Sequence, residues 1–261
     1  MGSLYTGLSG AMVLEQRLQA ISNDLANLNT PAHKRQRLAV ASDFPAFNPF
    51  IIQASDPDGL EIAPPAASQG DMIMAHIDRA EIDFSQGALR TTGQTTDLAL
   101  EGPGFFVVQV DGEEMYTRAG AFELDTAGAL VARVNGETAP VLGESGPINI
   151  GTLRFEVFTD GTVQTSDGAV LGTVRVVDFD DPQQLERAGN SLYRNADGTA
   201  GLTEVATNER AVKQGALELS NADPIRSLVA MIEVQRAYEA VAKAMSTIDE
   251  TTGRRISLAT R

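Results

Sequence analysis

Apolar side chains recur at helical spacing near the start of the chain. They stand three or four residues apart, at Leu4, Leu8, Ala11, Leu14, Leu18, Ile21, Leu25 and Leu28. From Ala11 onward the steps alternate as in a heptad seam, which is typical of a helix that packs one face against another helix. Pro31 ends this pattern, because a proline pushes the preceding residue out of helical conformation. The pattern therefore predicts an amphipathic N-terminal helix.

A second amphipathic helix is predicted at the other end of the chain. Asn221 or Asp223 is suited to cap it, with Pro224 in its first turn. The apolar seam that follows comprises Met231, Val234, Tyr238, Val241, Met245 and Ile248, and a second stripe comprises Ile225, Leu228 and Ile232. Gly253 and the two arginines after it are expected to end this helix.

The residues between the helices follow strand patterns. Five stretches alternate or run apolar over strand lengths, with Asp-Gly, Asn-Gly and Ala-Gly turns among them: GFFVVQV, YTRAGAFELD, GALVARV, LRFEVFTDGTVQTSDG and AVLGTVRVVDF. Residues 36–78 show neither period and contain several prolines, so we interpret them as an extended connector with one or two strands.

These patterns predict an α+β fold. The N- and C-terminal helices are expected to pair as a coiled-coil-like helical domain, beside a central antiparallel β-rich domain and an extended connector. The predicted segments are an N-terminal helix (1–35), a connector with short strands (36–88), a β-rich domain (89–213) and a C-terminal helix (214–261).

Composition and charge narrow the possible functions. The formal net charge of -15 argues against nucleic acid and anionic lipid as partners. The absence of cysteine excludes disulfides and thiolate chemistry. No apolar run is long enough to span a membrane, so no membrane insertion is expected. The first residues lack the basic and apolar regions of a cleavable signal peptide, so any export is expected to keep the N-terminus.

The candidate chemical groups do not form a catalytic pattern. His33 and His76 have no partner at metal-ligand spacing. The acid pairs Glu113–Glu114 and Asp180–Asp181 stand in turn-like contexts, where solvated carboxylates are more probable than a glycosidase dyad. The Gly-containing stretch 101–106 lacks the third glycine or lysine of a phosphate-binding loop. We expect no catalytic, cofactor-binding or metal-binding residue.

The terminal helices offer more than one face to neighbours. Asn23, Asn27 and Thr30 lie opposite the apolar seam of the first helix, where a solvent-facing helix would normally carry lysine and glutamate. The second helix carries small apolar residues outside its main seam. Both helices are therefore predicted to contact other subunits.

Three stretches resemble signatures of the bacterial flagellar rod and hook family. SNDLANLNT, residues 22–30, is similar to the Asn-Leu-Ala-Asn-x-x-Thr element at the end of that family's first helix. Residues 214–250 resemble its C-terminal signature, with the Gln-Gly, Glu-x-Ser-Asn and Gln-Arg-Ala-Tyr-Glu elements. TTGQTTDLALEGPGFFVVQ and YTRAGAFELDTAGALV are similar to its core strands. Two departures are Asp24, where asparagine is commoner, and PAH at 31–33, where a Gly-aromatic pair usually precedes Lys-Arg.

The resemblance implies a non-enzymatic structural subunit of the flagellar basal-body rod, most like the family's proximal rod members. Such subunits are exported uncleaved by the flagellar type III apparatus and assemble with copies of themselves and other rod proteins into a helical tube across the periplasm. That tube transmits torque and uses no cofactor. Distal rod and hook-type subunits of the same family remain alternatives. A trimeric tail-fibre or adhesin-like protein and a secreted carbohydrate-acting enzyme are the competing classes.

The predicted assembly interface combines both helices. It comprises Tyr5, Leu8, Leu18, Ile21, Asn23, Leu25, Asn27, Asn29, Met231, Val234, Gln235, Tyr238, Val241, Met245 and Ile248. The apolar members are expected to pack the two helices together. Asn23, Asn27 and Asn29 are expected to bond neighbouring subunits or the end of their own helix.

Overall fold

A computed structural model describes residues 2–43, 74–134, 136–151, 154–189, 191–195, 198 and 201–259 of the chain. The predicted strand content of the connector between positions 44 and 73 lies outside these residues. The described residues form two α-helices, α1 (Gly2–Ala26) and α2 (Pro224–Ala259), together with twenty strands and two short 3-10 turns.

Ten strands precede residue 145 in the chain. They are β1 (Gln36–Asp43), β2 (Met74–Ile82), β3 (Leu89–Thr91), β4 (Leu98–Leu100), β5 (Phe105–Val110), β6 (Glu113–Thr117), β7 (Phe122–Leu124), β8 (Leu130–Val134), β9 (Glu137–Pro140) and β10 (Leu142–Gly143). Ten more follow, namely β11 (Gly146–Pro147), β12 (Phe155–Val157), β13 (Thr162–Thr165), β14 (Val170–Thr173), β15 (Val176–Phe179), β16 (Leu185–Gly189), β17 (Leu192–Asn195), β18 (Leu202–Glu204), β19 (Val212–Gln214) and β20 (Ala216–Glu218).

The predicted α+β fold with a coiled-coil-like helical domain is wrong. The described residues are mostly β, and helices occur in them only as α1 and α2. The residues of the predicted seams are mostly half-buried, and apolar residues beside them stay exposed, with Ile225 73% and Met12 57% accessible. Heptad spacing shows that a helix has an apolar face, but it does not supply the partner that covers that face. The β-rich body fits the prediction.

The chain divides into two compact units. The first contains Met1–Ser22, Arg37–Glu81 and Leu228–Arg261, and the second contains Asn23–Gln36 and Ile82–Ser227. In the first unit β1 and β2 form a two-stranded sheet. The buried hydroxyl of Ser9 accepts a hydrogen bond of 3.2 Å from the Ala75 N–H, which ties the start of β2 to α1. The segment boundaries that the sequence predicts at residues 35, 88 and 213 remain predictions.

The second unit is built on a six-stranded antiparallel sheet. Its strand order is β16-β17-β6-β5-β15-β18. Successive residues of β5 point to opposite faces of the sheet, so Phe106 and Val108 enter one hydrophobic cluster while Phe105 and Val107 enter another. This explains why the sequence runs apolar there instead of alternating. Each fully buried side chain of this size stabilises the fold by about 1.5–3 kcal/mol.

Five aromatic residues of the unit gather in the second cluster, namely Phe84, Phe105, Tyr116, Phe179 and Tyr193. The Phe105 ring makes edge-on contacts with Phe179 at 5.8 Å and with Tyr193 at 5.9 Å between centroids. Phe84 packs edge-on against Tyr193 at 5.2 Å. Burial raises the pKa of the Tyr193 phenol to about 12, so this ring stays neutral across the physiological range.

The local predictions for single elements have mixed outcomes. All five predicted strand stretches form strands, which confirms that interpretation. The start of α2 is also confirmed, because the Asp223 carboxylate accepts hydrogen bonds from the Ile225 and Arg226 N–H groups at 2.9 and 3.2 Å. The predicted end at Gly253 is wrong, since α2 continues to Ala259. Among the described residues, neither helix is long and apolar enough to cross a membrane.

Candidate functional site

The beginning of α2 presents an exposed apolar stripe. Ile225, Leu228, Val229 and Ile232 follow one another at helical spacing, and each is about half or more accessible to solvent. A contiguous apolar patch of this kind marks an interaction surface, whereas isolated exposed apolar residues are common and need no explanation. We call these four residues the α2 stripe.

A smaller apolar patch lies on α1. Leu8 and Met12 stand one turn apart and are both exposed. Leu18, Ile21 and Leu25 of the predicted interface are half-buried. The Tyr5 side chain lies outside the described part of the structure.

The predicted seam of α2 is partly covered. Val234 is buried, while Tyr238 and Gln235 are exposed. The remaining members are half-buried, namely Met231, Val241, Met245 and Ile248. Close approach to α1 occurs at Met245, because a methyl group on Gly7 would stand 2.9 Å from the Met245 Cγ.

The asparagines of α1 take different positions. Asn27 bonds locally, since its side-chain N–H donates to the Asn23 carbonyl at 2.9 Å and its oxygen accepts from the Thr30 hydroxyl at 3.0 Å. These bonds satisfy the Asn23 carbonyl in the last turn of the helix and the Thr30 hydroxyl just beyond its end. The side chains of Asn23 and Asn29 face solvent.

Asp24 and His33, which belong to the two departures from the family pattern, contact each other. His33 Nε2 lies 3.0 Å from Asp24 Oδ1, and both residues are buried. Ala32 occupies the left-handed region with a φ of 53°, where glycine is favoured. Asp24 and His33 therefore form a buried hydrogen-bonded pair that links α1 to the turn after it.

A buried ion pair joins the segment that follows α1 to the segment that precedes α2. Lys34 Nζ lies 2.5 Å from Glu218 Oε1, and neither side chain has measurable exposure. Lys34 Nζ also donates to the Ser85 carbonyl at 2.7 Å. Burial lowers the pKa of Lys34, and attraction to Glu218 opposes that effect.

Asn221 adds hydrogen bonds between the same two segments. Its side-chain oxygen accepts from the Arg35 N–H at 2.8 Å, and its side-chain N–H donates to the Asp83 carbonyl at 2.7 Å. The Arg35 guanidinium lies 2.7 Å from the Asp83 carboxylate. We call the three segments that meet here, residues 32–35, 83–87 and 218–221, the junction.

Lys34, Glu218 and Asn221 are not among the residues that the sequence predicts for the interface. Glu218 and Asn221 lie inside the stretch 214–250 that carries the resemblance, and Lys34 begins the Lys-Arg element after PAH at 31–33. Charged side chains are normally exposed, so nothing in their spacing predicted that Lys34 and Glu218 would be buried together.

The acid pairs serve structural roles where their contacts are seen. Glu114 lies 2.7 Å from the Arg175 guanidinium, and the Asp181 carboxylate caps a 3-10 turn by accepting from the Gln183 N–H at 3.1 Å. Within the residues that the structure describes, no group of three or more His, Asp or Glu side chains is placed to hold a metal ion.

Comparisons with known proteins cover nearly the whole chain. The family model for the flagellar basal body rod FlgEFG protein C-terminal region matches residues 213–258, and that for the flagellar hook protein FlgE/F/G D1 domain matches residues 99–165. The flagellar basal-body rod protein FlgF of Caulobacter vibrioides is 34% identical over 259 residues, which span 95% of this chain and 94% of that protein. FlgG of Bacillus subtilis is 30% identical over 261 residues, with 95% of both chains covered. FlgF of Salmonella typhimurium is 29% identical over 97% of this chain and 96% of its own.

Proposed function

The chain belongs to the flagellar basal-body rod protein family, and on that premise we propose that its exposed helical surfaces bind neighbouring subunits in the rod. It is a structural subunit, and its relatives include both FlgF and FlgG proteins. Its role is to transmit torque as part of a helical tube, without catalysis.

The α2 stripe is the observation that carries this proposal. Three of its four side chains are already about half-covered, so each of these would contribute about half of the 1.5–3 kcal/mol of a full burial if a neighbour removed the rest from water. A second copy of the chain or another rod component supplies such a neighbour in a rod. A surface that binds a different surface on the next copy generates an open helical filament rather than a closed ring.

The wider interface consists of the residues predicted from the sequence. Leu8, Tyr238 and Gln235 are accessible for contact, as are Asn23 and Asn29. Half-buried members such as Ile21 and Met245 complete their burial when neighbouring subunits pack on the helices. The proposed partners are further copies of the chain, other rod components and the flagellar export apparatus.

Introducing charge into the α2 stripe tests the proposal. The variant Ile225→Glu/Ile232→Glu is expected to abolish swimming when it replaces the natural copy, because assembly would bury two carboxylates in an apolar contact. The purified variant should remain monomeric in sedimentation velocity and keep the circular dichroism spectrum of the unaltered protein.

A matched control is Val170→Glu, which charges an exposed apolar position on β14. This variant should swim normally. Normal swimming by the double variant would rule out the α2 stripe as an assembly contact.

A further inference from the structure

We propose that the junction makes the ordering of residues 32–35 and the ordering of residues 218–221 depend on each other. We call the junction in this role the lock. In this proposal residues 32–35 take their position only when residues 218–221 are in place, and the reverse also holds. The inference concerns the single subunit and does not depend on the rod assignment.

The charges of Lys34 and Glu218 make the dependence reciprocal. Both side chains are fully buried, and each is the other's ionic partner at 2.5 Å. A buried charge without its partner is strongly unfavourable, whereas the paired charges compensate one another. Withdrawal of residues 218–221 would leave the Lys34 charge without its carboxylate, and withdrawal of residues 32–35 would leave Glu218 with only its longer contact of 3.7 Å to Arg118.

Backbone hydrogen bonds alternate between the same two segments. The Ala32 N–H donates to the Glu218 carbonyl at 2.8 Å, and the Asn221 N–H donates to the His33 carbonyl at 3.2 Å. The Arg35 N–H donates to the Asn221 side chain at 2.8 Å. Withdrawal of either segment leaves backbone groups of the other without their partners.

Residues 83–87 fit only against both segments together. The Ser85 carbonyl accepts from Lys34 Nζ and also from the Asn221 side chain, at 2.7 and 3.0 Å. The Gly87 N–H donates to Glu218 Oε1 at 2.8 Å. A side chain at Gly87 would stand 2.0 Å from the Leu219 carbonyl oxygen, so the close approach requires glycine.

Arg118 connects the junction to the β-rich body. Its guanidinium lies 3.7 Å from Glu218 Oε2, donates to the Gly102 carbonyl at 2.7 Å and stands over the Phe105 ring at 5.3 Å. Only residues 27–31 separate α1 from the lock, and residues 222 and 223 separate the lock from α2.

Hydrogen exchange of the full chain, followed by mass spectrometry, tests the dependence. Lys34→Met removes one charge at the N-terminal segment and keeps the side-chain length. We expect peptides covering 30–36 and 216–222 both to exchange at least tenfold faster, while peptides of β5 and β6 keep their rates. Glu218→Gln should open the same two regions, although the change lies at the other end of the chain.

Two further variants separate the lock from simple loss of folding. Asn221→Ala removes an uncharged link and should accelerate exchange in both regions without exposing β5 and β6, even if the charge variants fail to fold. Lys34→Met/Arg118→Met/Glu218→Gln removes all three buried charges, keeps an acceptor for the Gly87 N–H, and should return exchange in both regions to within a few fold of the unaltered protein. Arg133→Met, at an exposed ion pair with Glu123, is the control that should change nothing in the junction.

The proposal is overturned if Asn221→Ala accelerates exchange only in 216–222 and leaves 30–36 protected. It is also overturned if the triple variant is as open as the single ones, because the coupling would then not arise from charge pairing.

Discussion

Asp24 Oδ1 and His33 Nε2 lie 3.0 Å apart in the interior, and each residue is the other's buried side-chain partner. The two are separated by the turn that follows α1. A hydrogen bond between buried side chains contributes about 1 kcal/mol, but removing one partner costs more because the other is left without its bond. The end of α1 is therefore held by a pair that must change together.

The first prediction concerns this pair. His33→Phe is expected to lower the free energy of unfolding by about 1–3 kcal/mol, because it leaves the Asp24 carboxylate buried without its partner. Asp24→Asn/His33→Phe should recover part of that loss, since an amide is easier to bury than a carboxylate. Urea denaturation of the single and double variants measures the coupling. Strictly additive effects would show that the two side chains do not depend on one another.

Sequence patterns located individual helices and strands better than they predicted which of these elements pair or pack together. Alternation and turn residues located the strands, and Asp223 with Pro224 located the start of α2, because these signals are local. Pairings such as Lys213 with Ala99 in β19 and β4 join distant parts of the chain, and alternation does not encode them. Heptad spacing similarly led to a coiled-coil prediction that the exposed stripes contradict. The apolar spacing on α2 could be read from the sequence as a possible contact surface. The burial of Lys34 and Glu218 could not, because charged side chains are normally exposed.

The second prediction concerns the backbone at Ala32. Its φ of 53° costs an L-residue about 1–2 kcal/mol, while glycine adopts this conformation freely. Ala32→Gly is expected to raise the free energy of unfolding by about 0.5 kcal/mol after the greater chain entropy of glycine is subtracted. Ala32→Val should lower it by about 2 kcal/mol or more, because a β-branched residue at this fully buried position adds strain and volume. Thermal unfolding of both variants gives the comparison, and a stabilising valine would contradict this account.

The third prediction concerns close backbone contact at Gly120. A Cβ atom there would stand 1.6 Å from the Leu98 carbonyl oxygen, so the backbone would have to move. Gly120→Ala is expected to lower the free energy of unfolding by about 3 kcal/mol or more. Gly172→Ala is the matched control, since nothing lies within 4 Å of its added methyl group and its stability should be unchanged or slightly higher. Equal effects of the two substitutions in urea denaturation would show that the contact at Leu98 is not limiting.

The fourth prediction concerns the acid stability of the junction. Burial raises the pKa of Asp83, but hydrogen bonds from Ser85 and from the Arg35 guanidinium lower it more, so its pKa lies well below the usual range. A carboxylate with a depressed pKa in the folded protein stabilises the fold fully above its unfolded-state pKa of about 4. That contribution falls as the pH drops below this value, because the unfolded chain then binds the proton first.

Asp83→Asn should therefore destabilise the protein by about 1–2 kcal/mol at pH 7, where the charge-assisted bonds to Arg35 are lost. The difference between the two proteins should shrink steadily from pH 5 towards pH 2, because the Asp83 carboxyl of the unfolded chain becomes protonated over this range and the unfolded state is stabilised. Urea midpoints measured across this range test the trend, and Glu123→Gln at a fully exposed ion pair should show no comparable dependence on pH. A difference between Asp83→Asn and the natural protein that stays constant down to pH 2 would show that the Asp83 charge does not contribute to the stability of the junction.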